Sequence, residues 1–157
     1  MPHTLLAARF DPPFTHIKTA SDFGMAMASA VTVLAEQSAA AYSTFHTDWD
    51  NKVAQEAAEL RALAPDLVLV NVPYLPLAGA ALAGIPSAAL CSLNWADIYR
   101  HYFGDDAIAA QIHGCYANAD AFLRATPGMS MTNLPNLLSV APENTSPTAA
   151  GHPDRPP

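Results

Sequence analysis

Residues 67–96, "LVLVNVPYLPLAGAALAGIPSAALCSLNWA", contain no charged side chain, and the way this run divides decides the fold. It is longer than the roughly 20 residues a membrane helix needs. Pro73, Pro76 and Pro86, with Asn71 and Gly84, interrupt it, and an interior proline costs a helix about 3 kcal/mol. A strand, a short helix and a second strand account for the run without that cost. "DLVLVNV" (66–72) has the unbroken Val and Leu content of a strand buried on both faces. "YLPLAGAALAG" (74–84) reads as a helix ended by Gly84, and Ile85-Pro86 lead into a strand over Ser87–Cys91. The expectation is a parallel, right-handed βαβ unit within an α/β, Rossmann-like parallel sheet flanked by helices.

Upstream, residues 34–64 read as one long helix, since Phe45, Trp49, Val53, Ala57 and Leu60 recur at spacings of four, four, four and three. Asp48, Asn51, Lys52, Gln55, Glu56 and Glu59 fill a solvated face, and Pro65 stops the helix. Downstream, a helical stretch runs from Trp95 to about His101, Gly104 interrupts it, and a second helix spans 105–118. "DAFLRATP" (120–127) has the look of a further strand. Past Leu134 the apolar periodicity fades and prolines accumulate, giving a folded unit over 1–134 and a Pro-rich disordered tail over 135–157.

The whole sequence, 157 residues at 51% hydrophobic and 13% charged, has material for one domain with a sizeable core. Fourteen acidic against seven basic residues, a formal net charge of -7, offer no footprint for nucleic acid or an anionic membrane surface. Cys91 and Cys115 form no CxxC, which suits a reducing cytosol better than a disulfide scaffold, and the N-terminus lacks a signal-peptide pattern. A cytoplasmic protein without a transmembrane segment is expected. The six histidines are scattered with no second pair of ligands at metal spacing, so no metal and no cofactor are expected.

Chemistry is sought where parallel sheets bind ligands, beyond the carboxyl ends of their strands. The two strands end in "NVPY" and "SLNWADIY", which places Asn71, Tyr74, Ser92, Asn94, Trp95 and Asp97 on one edge. Tyr74 and Trp95 offer flat apolar walls; Asn71, Ser92 and Asn94 offer directional hydrogen bonds. Asn94 and Trp95 serve equally well as a helix cap and its first residue. "TASDFGMAMASAV" (19–31) reads as a flexible loop bordering the cleft, with Asp22 as a hydroxyl or proton acceptor and the methionines packed inward. Asp22-Phe23-Gly24 matches the letters of the kinase metal motif, but the glycine-rich loop, strand lysine and HRD loop that accompany it are missing. Gly-x-Ser-x-Gly, Walker A and Gly-x-Gly-x-x-Gly patterns are also missing, which removes serine hydrolase, P-loop and simple dinucleotide readings.

Over residues 10–131, and most specifically in "DFGM", "VPYLPLA" and "SLNWADIY", the sequence resembles the amino-terminal domain of GT-B-type bacterial glycosyltransferases related to glycosyltransferase family 28. The resemblance implies the acceptor-facing half of a two-domain enzyme that moves a sugar from a nucleotide donor to an acceptor hydroxyl. It makes Asp22, Asn71, Tyr74, Asn94 and Trp95 acceptor-binding candidates and names no catalytic residue. Relative to that family, "MPHTLLAARFDPP" stands where the first strand and its Gly/His-rich loop are expected, and no donor domain follows. The expectation is therefore a fragment lacking its first strand and inactive alone, with a glycosyl acceptor as partner, and it is either a remnant or one part of a split enzyme whose donor domain is a separate chain. The alternative is a non-enzymatic acceptor-binding or protein-interaction module.

Overall fold

The computed structural model describes residues 3–8, 10, 13–17, 22 and 24–140. In chain order the elements are helix α1 (His3–Ala7), strands β1 (Met27–Ser29) and β2 (Thr32–Val33), helices α2 (Ala35–His46) and α3 (Trp49–Leu63), strand β3 (Val68–Val70), helix α4 (Leu75–Ala83), strand β4 (Ser87–Cys91), helices α5 (Trp95–Phe103) and α6 (Ala107–Ala117), and strands β5 (Ala121–Ala125) and β6 (Leu137–Val140). The main sheet has the order β3-β4-β5-β6, and every pair in it is parallel. The chain is α/β with a four-stranded parallel sheet, consistent with a Rossmann-like fold.

The run 67–96 divides at its prolines and glycine as expected. Pro76 sits in the first turn of α4, where a missing N–H costs nothing. Gly84 ends the helix in the left-handed region at φ 72°, a conformation other residues adopt at a cost. Val68 pairs with Ser87 and Val70 with Ala89, so β3 and β4 run in the same direction and end on the same edge.

Three expectations are corrected. The single helix over 34–64 is two helices: Thr47 is extended and Asp48 takes φ 58°, with its carboxylate accepting a 2.6 Å hydrogen bond from Asn51. A short acidic side chain tolerates that conformation, and the fourfold apolar spacing continues across the break. The loop over 19–31 supplies the first strand of an antiparallel hairpin, Met27–Ser29, whose partner Thr32–Val33 follows directly, with Met27 opposite Val33. The stretch read as tail from residue 135 begins with a strand: Leu137–Val140 pairs in register with Phe122–Ala125, and residues 141–157 lie outside the described residues.

A fourth correction concerns the sheet itself. Among the described residues the strand "DLVLVNV" is covered on one face rather than two: Val68 and Val70 are buried, whereas Leu69 is 56% exposed. The core gathers Val68, Val70, Ala89, Cys91 and Phe122 with Leu77 and Ala80 of α4 and Ile112, Cys115 and Tyr116 of α6. Behind α4, α3 approaches so closely that a Cβ added to Gly79 would stand 2.5 Å from Glu56 Cγ and 3.2 Å from the Ala57 nitrogen. On the opposite sheet face the register aligns Leu69 with Ala88, Leu90 with Leu123, and Leu123 with Leu138, and Leu69, Leu90, Leu138 and Val140 are exposed. All-parallel sheets are ordinarily covered on both faces, and a contiguous apolar patch of this kind is an association liability. The folded protein is expected to bind a hydrophobic dye and to self-associate with rising concentration. Replacing Leu90 and Leu138 together by lysine should abolish both effects while shifting stability by less than about 1 kcal/mol. A dye-silent, strictly monomeric wild type would contradict this reading.

Candidate functional site: the carboxyl edge of the sheet

Beyond β4, the backbone turns into α5 through Asn94, whose extended conformation and side chain cap the helix. Asn94 Oδ1 accepts from the Asp97 N–H at 2.8 Å, and Asn94 Nδ2 donates to Asp97 Oδ2 at 2.9 Å. Asn94 is 1% exposed, so its amide is used locally and faces inward. Trp95, next along, is half-buried. Its indole Nε1–H donates to Asp22 Oδ2 at 2.9 Å, across 73 residues of sequence. Gly24, at φ 65°, lies against the same indole: a Cβ there would meet Trp95 at 3.4 Å. The loop carrying Asp22 is thus joined to the start of α5.

A residue not singled out from sequence fixes this junction. The Tyr116 hydroxyl, reaching up from α6, donates to the Val72 carbonyl at 2.5 Å and accepts from the Trp95 N–H at 3.4 Å. Tyr116 is wholly buried, and burial holds its phenol well above the usual tyrosine range, so it stays a neutral donor. The stripe Ala109, Ile112 and Tyr116 on α6 marks it as a core residue; nothing local indicates where its hydroxyl goes.

The other candidates lie apart. Tyr74 is 1% exposed and sits in an aromatic cluster: its ring is 5.9 Å from Phe45, 5.8 Å from Trp49 and 6.3 Å from Tyr116. Its hydroxyl is 2.9 Å from His46 Nε2, and His46 Nδ1 bonds Gln111 Oε1. A neutral imidazole protonated at Nδ1 satisfies both, donating to the amide oxygen and accepting from the phenol. Burial, aided by the Lys52 charge, lowers His46 below its ordinary value, against Gln111 and Asp106, which raise it. Asn71 is exposed, beside Leu69, Val70 and Leu90 in a shallow depression of the open sheet face. The structure therefore brings Asp22, Asn94 and Trp95 together, keeps Tyr74 beneath them through Tyr116, and leaves Asn71 on the outer face.

No family model, no curated protein and no solved structure matches the chain. Among the described residues, no three His, Cys, Asp or Glu side chains are grouped to hold a metal ion, and no helix is long and apolar enough to cross a membrane.

His46 gives this region a defined pH response. With its folded pKa depressed by burial, the unfolded chain takes up the proton more readily than the folded one. The stability held by the neutral ring is complete above the ordinary value of 6.5 and is lost as pH falls through the folded value. Melting curves of wild type and His46→Phe, taken from about pH 8 to about pH 5, should show the wild-type advantage in Tm shrinking toward acid. A pH-independent difference would mean that the imidazole is not held neutral.

Proposed function

We propose that this chain provides the acceptor side of a glycosyltransferase-like protein, binding a hydroxyl-bearing acceptor at the carboxyl edge of the parallel sheet. The observation that carries the reading is the Asp22–Trp95 pair: a carboxylate oriented by an indole N–H at 2.9 Å, half-buried, at the edge where such sheets take their ligands. In this reading Asp22 accepts a hydrogen bond from the acceptor hydroxyl through its remaining lone pairs, and Trp95 supplies an apolar wall. Asn94, Tyr74 and Tyr116 hold the turn in place, and Asn71 borders the edge from the open face. The resemblance of "SLNWADIY" and "DFGM" to acceptor-side domains supports the assignment, since those two segments meet in this contact. Transfer itself requires a donor sugar held in line with the acceptor, which a separate donor-domain chain would supply.

A second reading, a protein-interaction module, is favoured by a different observation: the apolar face at Leu69, Leu90 and Leu138, which is uncovered among the described residues.

Titrating 15N-labelled protein with a panel of alkyl glycosides and aryl alcohols tests the first reading. The Trp95 Nε1–H resonance should shift saturably, Asp22→Asn should weaken binding about tenfold, equivalent to about 1.4 kcal/mol, and calorimetry should register no nucleotide-sugar binding. Micromolar nucleotide-sugar affinity would move the chain to the donor side. A Trp95 signal indifferent to every acceptor would leave the interaction-module reading in its place.

A further inference from the structure

Helix α4 meets its two helical neighbours in unlike ways. Toward α3 it closes to backbone contact at Gly79, whereas toward α6 its Ala78 and Ala81 methyls face a gap. The α6 side of this gap is the stripe Gln111, Gly114, Cys115 and Asn118, at the i, i+3, i+4, i+7 spacing of one helix face, and Trp49 closes one wall. The resulting groove has a volume of about 260 Å³, roughly the share of nine waters in the liquid.

The chemistry of the groove is specific. Every residue lining it is uncharged. The Trp49 indole is pinned by stacking on His46, with ring centroids 4.9 Å apart and planes 12° from parallel. Because Gln111 Oε1 is taken by His46, the amide is fixed with Nε2 left as a donor. The Asn118 side chain, two helical turns along, makes no hydrogen bond to another described residue and presents both a donor and an acceptor. Cys115 adds no reactive group: burial pushes its thiol up to about 12, and its Sγ–H donates to the Gln111 carbonyl.

We propose that the groove between α4 and α6 is a binding site for one neutral sugar ring, with Trp49 as its apolar wall and the Gln111 and Asn118 amides bonding hydroxyls at its two ends. Gln111 and Asn118, the C-terminal cap of α6, are separated by about 10 Å of helix rise, which leaves room for a ring with polar groups on opposite sides. A hydroxyl accepts from Gln111 Nε2 and both donates to and accepts from the Asn118 amide, and a sugar ring carries hydroxyls on opposite sides. The absence of charge among the lining residues disfavours phosphorylated or acidic sugars, whose charge would be desolvated without a partner. This site shares no residue with the Asp22–Trp95 edge and does not rest on the glycosyltransferase reading.

The test is a 15N NMR titration of the full chain with glucose, galactose and N-acetylglucosamine, beside glucose 6-phosphate, indole and benzamide. Saturable shifts at Gly114, the Asn118 amide and the Trp49 indole, at millimolar dissociation constants for the neutral sugars alone, are expected. Gly114→Leu fills the groove, since a Cβ at that position meets nothing within 4 Å; it should abolish these shifts without lowering the Tm, the helix interior favouring Leu over Gly, and leave the Trp95 resonance unchanged. Gln111→Glu, which retains the carbonyl-type acceptor for His46 and removes the donor, should weaken binding about tenfold. Shifts caused by the aromatic probes or the phosphorylated sugar in preference to neutral sugars, sugar binding that survives Gly114→Leu, or no saturable shift at these residues would each overturn the proposal.

Discussion

One phenol holds the carboxyl edge of the sheet together. The Tyr116 hydroxyl joins the chain leaving β3, at the Val72 carbonyl, to the chain entering α5, at the Trp95 N–H. Adjacent parallel strands splay where their ladder ends, and here a helix from behind the sheet reaches through to bond both exits. Tyr116 reaches that position because its ring is fixed on two sides, edge-on to Phe122 at 5.4 Å and beside Tyr74 at 6.3 Å. Tyr42, Tyr99 and Phe103 extend the aromatic packing outward, the first two in edge contact at 5.0 Å and the last two at 4.9 Å. Each such contact contributes about 1 kcal/mol beyond the area it buries, and together they make the backbone of Trp95 a fixed point against which Asp22 is held.

The molecule is strongly asymmetric about its sheet. On one side α4 and α6 bury Val68, Val70, Ala89 and Phe122, and α3 backs α4 through Gly79. On the other, a leucine row stands in solvent. Both candidate ligand sites belong to the covered side or to its upper edge, where Trp95 orients the Asp22 carboxylate and His46 the Gln111 amide; a binding group needs such support. Asn71, at the margin of the open face, lacks such support. This explains why residues that share a strand-end position differ so much: Asn94 is locked by a cap while Asn71 is exposed.

The βαβ unit was legible because its boundaries are written in local chemistry. Gly84 requires a left-handed φ, Pro76 marks a first turn, and Asn94 with Asp97 three residues on signals a cap. The break between α2 and α3 was not, because Phe45 and Trp49 keep helical spacing across it and the turn is recorded in the backbone of Thr47 and Asp48 alone. Leucine content in "DLVLVNV" does not distinguish a strand covered on both faces from one covered on Val68 and Val70 alone; that depends on elements far along the chain. Strand β6 has four residues, and the Pro135-Asn136 turn before it reads equally as the start of a Pro-rich tail, so only its pairing with β5 defines it. In the site, Asp22 and Trp95 were each readable as edge residues, but their contact is non-local, and the Tyr116 bridge depends on how α6 packs. Sequence periodicity places a tyrosine in the core without saying what its hydroxyl bonds.

Tyr116→Phe isolates the organisation of the edge from the helix side, since it removes one oxygen and keeps the ring in the core. Hydrogen exchange of the Trp95 indole Nε1–H, followed by NMR in wild type and variant, is the direct measurement. A protected indole proton is expected in the wild type, and in Tyr116→Phe at least a tenfold faster exchange at Trp95 with protection in β4 and β5 retained. Equal protection of the Trp95 indole in both proteins would contradict organisation from the helix side.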